Sequence, residues 1–170
     1  MKKILALLSI IALLSSCNST TKKTEIMKDE TKKPSQAIDT TTPKVIGIGG
    51  IFFFSDNPKE AQDWYSKNLG IKMNDWGGSS FEGRNIDNPA EKNTLEWSLF
   101  KKGDAYFAPS KKEFMINYRV QNIERLVENL KKNGVTILDS IATYDYGKFI
   151  HIMDTEGNKI ELWEPAKEQE

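Results

Sequence analysis

Residues 56–70, DNPKEAQDWYSKNLG, contain a whole helix with both ends marked by side chains. Asn57 suits the N-cap, Pro58 the first helical position and Glu60 the third, where an acid completes a capping box. Ala61, Trp64 and Tyr65 recur at helical spacing and predict one apolar face, and Gly70 suits the left-handed residue that closes a helix. The pattern returns after about 65 residues, matching Asn57 with Asn122, Lys67 with Lys132, Asn68 with Asn133 and Glu96 with Glu161. In the second copy Ile123, Leu126, Val127 and Leu130 form the apolar face, and Asn133-Gly134 ends the helix.

Outward from each helix the strand signals repeat as well. Val45 to Ser55 is an apolar run ending in Phe52-Phe53-Phe54, and Ile71 to Asp75, Ser80 to Arg84 and Thr94 to Lys101 follow the first helix. Phe114 to Val120 precedes the second, with Val135 to Ser140, Lys148 to Asp154 and Asn158 to Glu164 after it. Each copy therefore reads βαβββ, and the fold class is α+β. Neither module has enough layers to bury a sheet face and a helix by itself. Two tandem modules, 45–102 and 113–165 within a domain spanning 45–166, are expected to curve their sheets around a shared cavity.

The last hairpin, Lys148 to Pro165 (KFIHIMDTEGNKIELWEP), holds the only histidine. Thr155, Glu156 and Gly157 suit a three-residue loop with glycine at the left-handed position. Counting outward pairs Ile152 with Ile160, His151 with Glu161 and Phe149 with Trp163, so imidazole and carboxylate share a sheet face. His151 and Glu161 are the candidate acid and base, and a purely structural hydrogen-bonded pair is the alternative. Burial raises a carboxylate's pKa and a neighbouring imidazole opposes that shift. Strand alternation places Met115, Asn117 and Arg119 on the cavity side with Phe52, Phe54, Phe149 and Trp163; Glu96 and Ser98 are assigned to the same side. A wall of rings with a few convergent polar groups fits a small-molecule site. Arg119 suits a carboxylate or phosphate, or pairs with Glu161 or Glu96. Trp76 with Gly77-Gly78 marks a loop able to close over a ligand, or a loose turn.

Asp56 to Gly70, with its Trp-Tyr pair and closing Leu-Gly, and Asp154 to Leu162 (DTEGNKIEL) resemble the vicinal oxygen chelate superfamily, which includes glyoxalase I, bleomycin-resistance proteins and extradiol dioxygenases. FMINYRV, YGKF and the terminal ELWEP are similar to a glyoxalase-like branch. The resemblance covers about Val45 to Pro165 and implies the paired-module fold. It also implies metal ligands on the first and last strands of each module, which fall here at Gly50, Met115, Glu96 and Glu161. Gly50 and Met115 are not ligands for a hard or borderline cation, so no cofactor is expected. A divalent metal would have to use Glu96, His151 and Glu161 in a rearranged site. The resulting expectation is a binder of a small, anionic or aromatic molecule. The alternatives are a metal-dependent enzyme similar to lactoylglutathione lyase or a dioxygenase, and a non-catalytic surface interaction module.

The N-terminus supplies the address. Lys2 and Lys3 precede an apolar run from Ile4 to Leu14, which has the proportions of a secretory signal and is short for a bilayer span. Leu14-Ser15-Ser16-Cys17 resembles a bacterial lipobox, with Cys17, the only cysteine, as the acylated first residue of the mature chain. Residues 1–16 thus read as a lipoprotein signal peptide, 17–44 as the acylated cysteine with a Ser/Thr/Lys-rich tether, and 167–170 as a tail. The expected location is extracytoplasmic, anchored by lipid on Cys17 to the periplasmic or surface side of a bacterial membrane. Lys+Arg and Asp+Glu each number 24 in 170 residues, which excludes the basic surface of a nucleic-acid binder. Because two modules in one chain complete the cavity, both a monomer and a homodimer are compatible with it.

Overall fold

The two first strands, β1 (Lys44–Ser55) and β4 (Phe114–Gln121), pair antiparallel with each other and so join the modules into one sheet. The chain is described by a computed structural model over residues 39–86 and 88–166. The signal peptide, Cys17, nearly all of the tether and the tail at 167–170 lie outside the described residues. Helix α1 (Pro58–Leu69) and strands β2 (Ser79–Arg84) and β3 (Lys92–Lys101) complete the first module. The second contains α2 (Ile123–Lys132), β5 (Thr136–Ile137), β6 (Ala142–Tyr144), β7 (Gly147–Met153) and β8 (Lys159–Pro165). The open, curved eight-stranded sheet runs β2-β3-β1-β4-β8-β7-β5, with β6 also on β7.

The helices pack on one sheet face for different reasons. Ile123 and Val127 of α2 are buried against Val120, Ile150, Ile152 and Leu162, the continuous core of the second module. α1 buries no residue fully and holds on through Tyr65, whose ring lies 4.8 Å from Trp97, itself 5.4 Å from Phe53. The ends of α1 follow the reading from residues 56–70: Asn57 Oδ1 accepts from Glu60 N, and Gly70 takes φ 69°. At α2 the cap differs. Asn122 adopts φ 56° and makes no side-chain cap, and the Glu164 carboxylate accepts from the N–H groups of Asn122 (2.6 Å) and Ile123 (3.5 Å). A carboxylate at this end also complements the helix dipole.

Two strand expectations are corrected. Ile71 to Asp75 is not a strand, because Asn74 closes a turn on the glycines that follow. Its N–H donates to Gly78 O, its carbonyl accepts from Gly77 N and its side chain accepts from Gly78 N. The first module is therefore βαββ. The expected strand Val135 to Ser140 is reduced to the two residues of β5 and resumes as β6, both pairing with β7. In the gap, Asp139 turns its carboxylate onto His151. The terminal hairpin has the expected register, Ile152 with Ile160, His151 with Glu161 and Phe149 with Trp163, around Gly157 at φ 76°.

Candidate functional site

Strand register draws one line of side chains across the concave face: Ser80, Glu96, Gly50, Asn117, Glu161, His151. Neighbouring members bond to one another. Ser80 Oγ donates to Glu96 Oε2 (2.8 Å), Asn117 Nδ2 donates to Glu161 Oε1 (2.7 Å), and His151 Nε2 lies 3.1 Å from Glu161 Oε2. His151 Nδ1 in turn lies 2.6 Å from Asp139 Oδ2. Asn117, Glu161 and His151 are buried, with Glu161 3% exposed, and form a polar cluster on the cavity floor, whereas the Ser80–Glu96 pair is open to solvent.

A further side chain, Tyr106, completes the cluster, and the sequence reading missed it. It comes from a 3-10 turn (Ala105–Phe107) in the linker between modules, and its hydroxyl donates to Glu161 Oε2. Phe107 anchors the turn: it is 1% exposed and stacks on Phe54 at 4.2 Å, while Tyr106 stacks on Phe100. Two adjacent aromatic residues after Asp104, which accepts from Tyr106 N, were the available signal in a segment read as a connector.

The charges follow from these contacts. Burial pushes the Glu161 pKa up, but hydrogen bonds from His151, Tyr106 and Asn117 outweigh it and hold the carboxyl below its ordinary 4.5. Burial pushes the His151 pKa down, and bonds to Glu161 and Asp139 outweigh that, leaving it above 6.5. Tyr106 is pushed up by burial and by the Glu161 charge, which keeps its proton available to donate. An imidazolium bridging two carboxylates is the consistent state. Because the raised His151 pKa favours the folded protein only while the ring is protonated, its stabilisation is complete below pH 6.5 and is lost as pH rises through the raised value. The depressed Glu161 pKa acts oppositely, stabilising above pH 4.5 and failing as pH falls through the lowered value. NMR titration of the single histidine is expected to give a midpoint above 6.5; a midpoint below that value contradicts the bridge.

Above the floor lies a cavity of about 490 Å³ lined by Phe52, Trp76, Glu96, Asn117, Tyr146, Phe149, Glu161 and Trp163. Phe149 and Trp163 stack at 5.9 Å, and Trp163 Nε1 donates to Tyr146 O at 3.2 Å. Gly49 makes room under this wall, since a Cβ there would fall 2.2 Å from Asn117 Oδ1 and 2.8 Å from the Trp163 ring. The other expected pocket residues are placed elsewhere. Phe54 stacks on Phe107, and Ser98 and Met115 are buried beside Phe52. Arg119 turns its guanidinium to Thr94 O (3.1 Å) over Gly47, away from the lining, and forms no ion pair among the described residues. Arg119 is therefore not placed to hold an anion in the cavity, the alternative bridge to Glu161 or Glu96 is not formed either, and the lining carboxylates are both negative. Asn117 Oδ1 and Arg119 Nε are buried without partners.

Residues 47–162 match the model of the Glyoxalase/Bleomycin resistance protein/Dioxygenase superfamily. The chain belongs to this superfamily. Residues 1–18 match the prokaryotic membrane lipoprotein lipid attachment site, which supports membrane anchoring through a lipid. No curated protein matches the chain in sequence. A variant of Streptomyces coelicolor methylmalonyl-CoA epimerase in complex with 2-nitronate-propionyl-CoA has a similar fold, with TM-score 0.52, 13% identity, and coverage of 73% of this chain and 100% of that one. The Mycobacterium tuberculosis methylmalonyl-CoA epimerase gives TM-score 0.48, 19% identity, and coverage of 78% and 95%.

The metal positions that the resemblance implies fall on two strand-paired residue pairs. Pairing sets Gly50 beside Glu96 and Asn117 beside Glu161, so the second first-strand position is Asn117, two residues beyond Met115. The first strand of module two reaches its helix in fewer residues than that of module one, which shifts the correspondence there. Gly50 has no donor. Both oxygens of Glu161 already accept hydrogen bonds, and both nitrogens of His151 face carboxylates. Among the described residues no three His, Cys, Asp or Glu converge as a metal-ligating group. As arranged, these side chains do not fit a catalytic cation.

Proposed function

We propose that this superfamily member is an extracytoplasmic, lipid-anchored binder of a small molecule, and that it works without a metal. The observation that carries the reading is the 490 Å³ cavity, within the range of small-molecule sites and walled by Phe52, Phe149 and Trp163 over a polar floor. Binding is favoured over turnover by the state of Glu161. A carboxylate that accepts three hydrogen bonds and whose pKa is depressed is a weak base, and a His151 bridged between two carboxylates has no free nitrogen for a substrate. His151 and Glu161 then serve to fix the charge and shape of the floor. The cavity also counts against a surface module with a filled interior.

Titration of the full mature chain with small aromatic compounds, followed by tryptophan fluorescence, tests this. Saturable binding at one site per chain is expected, weakened by about tenfold on Trp163→Ala, since one aromatic pair contributes about 0.5–1.5 kcal/mol beyond the area it buries. Binding that is unaffected by Trp163→Ala would move the site out of this cavity.

A further inference from the structure

Among the described residues, the cavity lining contains two carboxylates, Glu96 and Glu161, one amide, Asn117, and no lysine, arginine or histidine. Its other walls are five rings: Phe52, Trp76, Tyr146, Phe149 and Trp163. The nearby positive groups are engaged elsewhere. Arg119 is bound to Thr94 O, Lys159 donates to Tyr106 O at 2.5 Å with its ammonium over the Tyr106 ring, and His151 is held between Asp139 and Glu161. Glu161 is saturated by protein donors, whereas among the described residues Glu96 receives a bond at Oε2 from Ser80 alone. Trp76 and Tyr146, 60% and 62% exposed, stand at the lining with large apolar surfaces open to whatever enters. Tyr146 is held at 5.5 Å from Phe149, which stacks on Trp163, so the wall is a connected set of rings rather than scattered ones. Ring faces carry negative potential and attract a cation within about 6 Å, most strongly where water is excluded. A carboxylate in the same lining adds a second attraction for a cation.

We propose that the cavity takes a small organic ammonium ion, its charged head drawn to Glu96 and to the ring faces of Phe149 and Trp163, and its apolar body against the mouth residues Trp76 and Tyr146. This rests on the reading of the cavity as a ligand pocket and names the class of ligand. The ligand is thereby cationic, opposite in sign to the expectation drawn from Arg119.

The test is calorimetric titration of the full mature chain with three probes: benzyltrimethylammonium, the neutral alcohol of the same carbon skeleton, and the carboxylate of that skeleton. The cation is expected to bind at least about tenfold more tightly than the alcohol. Glu96→Gln is expected to weaken the cation by about tenfold and leave the alcohol unchanged; Ser80 Oγ can still donate to the amide oxygen, so the variant keeps its local contact. Equal affinity for cation and alcohol, tighter binding of the carboxylate, or no effect of Glu96→Gln would each overturn the proposal. If that binding is still lost on Trp163→Ala, the pocket reading stands and only the cation falls. Failure of all three probes to bind would overturn both.

Discussion

Replacing Glu161 by alanine is expected to lower the free energy of unfolding by about 3–5 kcal/mol, the usual cost of removing one member of a buried charged pair. The substitution leaves the Tyr106 hydroxyl and Asn117 Nδ2 without an acceptor, and strips His151 of one of its two carboxylates. Each abandoned buried donor costs about 1–3 kcal/mol, partly recovered if water enters from the cavity. Glu161→Gln is expected to lie between wild type and alanine, because the amide keeps one acceptor and sets an N–H against donors. The same variants are expected to lower the His151 midpoint, since the hydrogen bond to Glu161 is the largest influence raising it and the Glu161 charge adds to that. Chemical denaturation gives the first quantity and NMR titration the second. A loss below about 1 kcal/mol for alanine would mean that the cluster is hydrated like a surface pair.

Cys17→Ser is expected to abolish membrane association. Acyl chains on one residue contribute about 0.8 kcal/mol for each buried methylene, enough with two chains for stable anchoring. The described residues offer no substitute, since none of their helices is long and apolar enough to cross a membrane. Fractionation of cells expressing the full chain is expected to move the protein from the membrane pellet to the soluble fraction, with loss of the lipid from its intact mass. A serine variant that stays in the pellet would require another anchor.

Sequence signals proved most legible where they are local. The caps of α1 and the Gly157 loop depend on neighbouring residues, and the loop sets His151 opposite Glu161. Cluster members supplied from a distance were not legible. Tyr106 reaches Glu161 from 55 residues away through a linker without strand periodicity, and Asp139 meets His151 because a strand breaks there. Ile71 to Asp75 reads as a strand by apolar content, but the Asn74 side chain offers the backbone a turn instead. Arg119 was assigned to the correct strand face, yet alternation does not specify where a long side chain ends. Its guanidinium runs across Gly47 to Thr94, and this leaves the cavity charge to the glutamates.

In the proposed reading, protein donors fill the coordination of Glu161 and the pocket works without a cation. Elemental analysis of the mature protein, exposed to divalent metals and then dialysed, tests this most directly. The expected result is far less than one divalent ion per chain, unchanged by Glu161→Gln. One ion per chain that survives dialysis and is lost with Glu161→Gln would contradict it.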